Sequence, residues 1–381
     1  MKFKRDIYCE YEFWEAFYSM EEEVIHDRVK RRLWDAFHEF ISKNNIFFNI
    51  KNTAVNEKTD GGKNLDEIRQ ARGGAGIHFL TDEYNWFPRF NNISNKDNKR
   101  LNSVYLTMSD TATCKKLSGK YGIIVFNLEI LFSAKHVFTE FKTTFDRVNH
   151  LTWDKFLSDL KTKCPKINYC NSLLLNDHYF LSNCNKDNVA FNLSPILDAL
   201  LPQNLCDDIV FNICILAEET GENAEEKKQL IRETIQNLRP KMKFNLDTYN
   251  KWVHDRAILT NNVMLTSGTG FNPIEQDEEK DDIRARKSTM VSLSFPFLQS
   301  DNNDNSIYLN LINEVNRILR FSAPQPDAVE HKEVTHRLLD YYYNIKQKSK
   351  YNIKKEFCNH PKIPPTSLFV NNTRLSVIGN T

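Results

Sequence analysis

The sequence predicts an α/β protein: two mixed-sheet α/β units followed by a helical C-terminal extension. Three observations carry this. Short apolar runs such as V-Y-L-T-M at 104–108 and I-V-F-N-I-C-I-L at 209–216 alternate with helical segments of 3.6-residue periodicity. A length of 381 residues suits two domains better than one. A hydrophobic content of 40%, with 26 Phe and 14 Tyr, supplies enough apolar mass for more than one core.

Taken in order, residues 5–11 read as a strand and 12–43 as one long helix, with Leu33, Phe37, Phe40 and Ile41 on its apolar face. Residues 46–50 form a strand, and the polar stretch 51–64 with Gly61-Gly62 a loop. A helix over 65–72 stops at Gly73-Gly74-Ala75-Gly76, which lacks the lysine ending of a phosphate-binding loop and reads as a C-cap. Strand 104–108, helix 110–119 and strand 122–127 complete the first unit, assigned to 1–150. Residues 133–168 read as a polar helical bridge.

The second unit, assigned to 168–322, opens with strand 172–176, ending in Asp177-His178-Tyr179. Helix 194–201 stops at Pro202, and 209–216 is a buried strand. Helix 224–238 has Asn223 as its cap and Glu225 and Glu226 in the first turn, where the helix dipole favours them. Strands at 241–246 and 252–260 follow, with Asn261-Asn262 as a two-residue hairpin turn. The acidic run 275–282 is expected to be a mobile loop, 288–298 a strand and 307–321 a helix. A Pro-rich linker then leads into the extension, 323–381, with a helix over 329–348 and a terminal hairpin.

Composition narrows function. A formal charge of +1 argues against a uniformly basic nucleic-acid coat, while leaving room for a local groove. No apolar run approaches the roughly 20 residues of a membrane helix, and the start M-K-F-K-R-D carries no secretory core, so a cytoplasmic protein is expected. The eight cysteines form no C-x-x-C pair, which disfavours a zinc ribbon and suits free thiols.

The most informative stretch is V-H-D-R-A-I-L-T-N-N-V-M-L-T-S-G-T-G-F-N at 253–272. If 252–260 is one strand, His254 and Arg256 project from the same face, roughly 7 Å apart. A guanidinium fork beside an imidazole suits a phosphate or another oxyanion. Gly268 and Gly270 then mark a backbone bend or a close approach. The tripeptide His-Asp-Arg also occurs at 26–28 inside the first helix, so its neighbourhood carries the signal.

This neighbourhood resembles the H-x-K-x4-D…G-S-x-N signature of the phospholipase D superfamily. His254 matches the histidine, Arg256 stands at the lysine, Asn261 at the aspartate, and Ser267-Gly268-Thr269-Gly270 at G-S-x-N. It is more similar still to the divergent phospholipase D-like domain found at the C-terminus of MIT-domain proteins, through H-D-R-x-I, G-x-G and an upstream strand ending in D-x-Y, here Asp177-His178-Tyr179. The resemblance covers about 168–298. It implies a phosphohistidine nucleophile at His254, a second histidine that protonates the leaving group, and Arg256 as phosphate clamp. Asn261, Ser267 and Thr269 would be further phosphate contacts. From the residues themselves, His178 ends a neighbouring strand and could be that second histidine, while Asp177 could orient His254 or cap the following loop. With one motif copy, catalysis implies a homodimer or another histidine.

Two function classes follow. One is a phosphate-recognising protein that acts on or senses nucleic acid, as a nuclease of a microbial defence or mobile-element system. The other is a non-catalytic adaptor for a membrane phospholipid or a protein partner. The architectural alternative weighs equally with ligand binding: His254 bonded to Asp177 or Asp255, with Arg256 closing an ion pair. In the first unit, Glu10 and Asp110 at strand ends could hold Mg²⁺, although Asp110 also reads as a helix N-cap. No cofactor is otherwise indicated.

Overall fold

The computed structural model describes residues 6–80, 103–133, 141–145, 152–163, 169–181, 184–218, 223–250, 252, 254–277, 282–285 and 289–294. The expected 307–321 helix and the extension 323–381 lie outside the described residues.

The α/β class holds, and each unit owns a sheet. The first sheet has five strands in the order β3-β2-β1-β4-β5, built from β1 (Asp6–Cys9), β2 (Asn45–Phe48), β3 (Ile77–Phe79), β4 (Val104–Leu106) and β5 (Ile124–Phe126). All four pairings are parallel, so this sheet is not mixed. β4 and β5 are buried throughout, which is why they read as continuous apolar runs rather than alternating ones.

The expected long N-terminal helix is three: α1 (Tyr11–Ser19), α2 (Glu21–Val24) and α3 (Arg28–Lys43). The break is chemical. Asp27, from the first His-Asp-Arg tripeptide, caps α3 by accepting from the Val29 and Lys30 N–H groups. The break lets Trp34 and Phe37 fold back on Phe17, with Phe17 and Trp34 stacked at 5.3 Å. Helix α4 spans Asp60–Ala71, starting earlier than expected because Thr59 caps it through the Gly62 N–H.

Helix α5 (Thr111–Tyr121) joins β4 to β5, and α6 (Leu128–Ser133) follows. Gly122 ends α5 at φ 63°, where a Cβ would lie 2.2 Å from the Cys170 carbonyl oxygen. Only glycine permits this approach, and it brings the end of the first unit against the start of the second.

The second sheet has seven strands in the order β6-β14-β11-β10-β7-β8-β9. Its strands are β6 (Phe141–Phe145), β7 (Ser172–Asn176), β8 (Phe211–Ala217), β9 (Phe244–Asn250), β10 (Ala257–Thr260), β11 (Met264–Ser267) and β14 (Thr289–Ser294). β7, β8 and β9 are parallel, and the remaining pairings are antiparallel. β6 pairs with β14, so residues 141–145 belong to the second sheet rather than to a 1–150 unit or a helical bridge. Among the described residues the bridge keeps one helix, α7 (Trp153–Lys163), while α8 (Ser194–Leu200) and α9 (Ala224–Leu238) lie where the sequence places helices, although the Asn223 side chain makes no capping hydrogen bond.

Two further expectations change. The acidic run is flanked by a hairpin of β12 (Ile274–Asp277) and β13 (Asp282–Ala285), not wholly a loop. The strand expected over 252–260 begins only at Ala257. The Asn261-Asn262 turn between β10 and β11 is as expected.

Candidate functional site

Strand register assembles the site. β10 runs antiparallel to both β7 and β11, with Ala257 opposite Asn176 on one side and Thr266 on the other. One step outward, Arg256 falls between Asp177 and Ser267, and the Ser267 N–H donates to the Arg256 carbonyl. Glu218 follows β8, and Trp252 follows β9 by two residues. The carboxyl ends of the three parallel strands therefore converge, the place where open α/β sheets bind ligands.

Asp177 is buried, and its surroundings are specific. Oδ2 accepts the Phe271 N–H at 2.8 Å and Oδ1 the Tyr179 N–H at 3.2 Å. Burial holds its carboxyl above the ordinary carboxylate range, against the opposing pull of the two N–H groups, Arg256 and His178. The Arg256 Nε lies 3.8 Å from Oδ1, too far for a hydrogen bond, and is buried with no hydrogen-bond partner. The guanidinium makes no hydrogen bond among the described residues. Its side chain keeps 21% exposure, so part of this underused donor fork reaches solvent.

His178 lies in a sandwich of rings. Tyr179 stacks on it at 4.2 Å and Trp252 at 3.9 Å, both nearly parallel, so they occupy opposite faces. Its Nε2 meets Glu218 Oε2 at 3.0 Å, and the Glu218 N–H donates to the His178 carbonyl. Tyr179 is 49% exposed.

The motif histidine is elsewhere in character. His254 occupies a bend ahead of β10, so strand alternation does not place it with Arg256. Its side chain is 96% exposed, and Nδ1 lies 3.9 Å from the Asp255 carboxylate. No hydrogen bond or ion pair joins it to Arg256, His178 or Asp177 among the described residues. Asn176 anchors the bend by donating to the Asp255 carbonyl.

Asn261 is corrected outright. It is fully buried, accepts from the Asn171 N–H at 2.9 Å and donates to the Gly122 carbonyl at 3.0 Å. It sits at the far end of β10 from Arg256, stitching the two units, and cannot hold a phosphate there. Ser267 is buried and donates to the Gly270 carbonyl, which closes the glycine corner. Thr269 is exposed, and its N–H donates to the Thr289 hydroxyl. Gly270, at φ 108°, packs so tightly that a Cβ would lie 2.6 Å from Asp177 Oδ2. The glycine that the sequence linked to a ligand instead makes room for a carboxylate.

The two carboxylates expected to hold Mg²⁺ are each engaged in hydrogen bonds within the first unit. Glu10 is buried, and its Oε2 accepts from the Thr107 hydroxyl and the Met108 N–H at 2.8 and 2.7 Å. Asp110 caps α5, accepting from the Thr113 N–H and hydroxyl. Those bonds hold its carboxyl below the usual range, the side-chain bond contributing most. Among the described residues no group of three His, Cys, Asp or Glu side chains is arranged to hold a metal ion.

Glu218 and Trp252 were missed from sequence. The available signal was positional: A-E closes the buried run of β8, and parallel strands align their ends. No protein-family model matches the chain, and comparison with curated proteins finds no match. Among the described residues no helix is long and apolar enough to cross a membrane.

Proposed function

We propose that this protein recognises nucleic acid without cleaving it at this site, using a divergent phospholipase D-like second unit in the cytoplasm. One observation carries the proposal: an aromatic stack ending in the exposed Tyr179 ring stands at the carboxyl ends of parallel strands, in the same strand-end site as the underpaired Arg256 guanidinium. An exposed ring offers a base a stacking face at about 1–3 kcal/mol per base, and a guanidinium fork suits the adjoining phosphate. The overall formal charge of only +1 fits a local site better than a long electrostatic track.

Covalent chemistry is disfavoured by the same geometry. A histidine nucleophile needs an orienting acid to fix its tautomer and aim its nitrogen. Among the described residues His254 has none within hydrogen-bond distance, and the acid-paired histidine, His178, has both ring faces covered.

The test is fluorescence anisotropy with labelled single-stranded DNA and RNA, and with anionic phospholipid vesicles in parallel. Wild type should bind a single strand. Tyr179→Ala should weaken binding by roughly 5- to 150-fold, the equivalent of one stacked base. Arg256→Gln should weaken it and flatten its salt dependence, whereas His254→Ala should change neither affinity nor the intact length of the strand. Binding to vesicles alone, or strand cleavage lost in His254→Ala, would overturn the proposal.

A further inference from the structure

We propose that a cavity of about 570 Å³ at the junction of the two units binds a nucleoside polyphosphate. It lies on the amino-terminal side of β7 and β8, the opposite end of those strands from the Tyr179 stack, and is independent of it.

Its charge is one-sided. Lys115, Lys116 and Lys120 of α5 line it, and among the described residues no carboxylate does. All three are exposed, and none forms an ion pair among the described residues. Lys120 Nζ sits 4.9 Å over the Tyr121 ring, and Asp208 reaches it only through a longer-range field. The helix dipole favours cations in the last turn of α5. It does not explain why three of them face one concavity. Like charges gathered in a cleft focus a positive potential, which selects a polyanion.

Its size and other walls narrow the ligand. The volume falls within the roughly 300–1,000 Å³ of small-molecule sites, far more than one phosphate fills. Tyr169 supplies a half-buried ring whose phenol burial pushes up, so it stays a neutral donor at pH 7. Gln203 and Asn204 add exposed amides, each able to donate and accept along the edge of a base. Lysines for the phosphates, a ring for stacking and amides for the edge together describe a nucleotide with several phosphates.

The cavity is also held in shape. The Cys206 N–H donates to the Lys120 carbonyl at 2.7 Å, tying the 202–206 wall to α5. Asn171 donates to the Tyr121 and Gly122 carbonyls at 3.0 Å each, and Asn262 donates to the Tyr169 carbonyl. A preformed cavity loses little ordering entropy on binding.

The experiment is calorimetric titration of the full chain with ATP, AMP and inorganic phosphate, without divalent metal, at low and moderate salt. ATP should bind more tightly than AMP, inorganic phosphate should bind least, and salt should weaken all three. The double variant Lys115→Gln/Lys116→Gln should weaken ATP binding at least tenfold while its unliganded melting temperature stays that of wild type, because both side chains are exposed. Arg256→Gln should leave ATP affinity unchanged. Absence of ATP binding, indifference to the lysine substitutions, an equal loss in Arg256→Gln, or equal affinity for ATP and inorganic phosphate would each overturn the proposal.

Discussion

Gly270→Ala should destabilise the second unit by about 2–6 kcal/mol, combining an L-residue strain of about 1–3 kcal/mol with a similar cost for an orphaned buried N–H. The first contribution arises because Gly270 sits at φ 108°, a backbone conformation that side chains other than hydrogen oppose. The second arises because the new Cβ would lie 2.6 Å from Asp177 Oδ2, which accepts the Phe271 N–H at 2.8 Å. The carboxylate has nowhere to retreat, since its other oxygen accepts the Tyr179 N–H and the residue is buried. Urea unfolding followed by circular dichroism and tryptophan fluorescence reads the change, with Trp153 reporting locally because its ring lies 6.4 Å from Phe271. A double-mutant cycle with Asp177→Ala separates the two causes. Removing the carboxylate relieves the overlap but not the backbone strain, so the cycle should return a coupling of about 1–3 kcal/mol. A loss below about 1 kcal/mol for Gly270→Ala, or zero coupling, would refute the idea that this glycine exists to admit Asp177.

Asn261→Ala should cost about 1–3 kcal/mol in the same denaturation assay, because it strands the Asn171 N–H in the interior, whereas the Gly122 carbonyl keeps its bond from the Asn171 side-chain amide. It should leave nucleic-acid affinity unchanged, and a binding loss at intact stability would restore it as a phosphate ligand. Asp177 gives a pH signature. Its folded pKa is raised, chiefly by burial, so its contribution is complete below its unfolded value near about 3.9 and is lost as pH rises through the raised folded value. Asp177→Asn should remove that decline from a plot of stability against pH, and an unchanged slope would show that the carboxyl is not held up.

The sequence by itself determined the α/β class, most strand positions and the hairpin turn at Asn261-Asn262, because apolar periodicity and turn chemistry are local. It also pointed to Asp177, His178 and Arg256, which meet at one end of the second sheet. It could not decide strand partners. The pairing of residues 141–145 with β14 links segments almost 150 residues apart, and nothing local encodes that. Nor could it decide which face a side chain takes once a strand starts late. The three residues from His254 to Arg256 precede β10, so the alternation that would have paired His254 with Arg256 never applies. Tertiary packing then reassigned the conspicuous residues: Asn261 to the joint between units, Gly270 to the space beside a buried carboxylate, Glu10 to two donors after β4. It also raised the inconspicuous ones, since Glu218, Trp252 and the three lysines of α5 acquire meaning only when distant strand ends and the walls of a cleft are brought together.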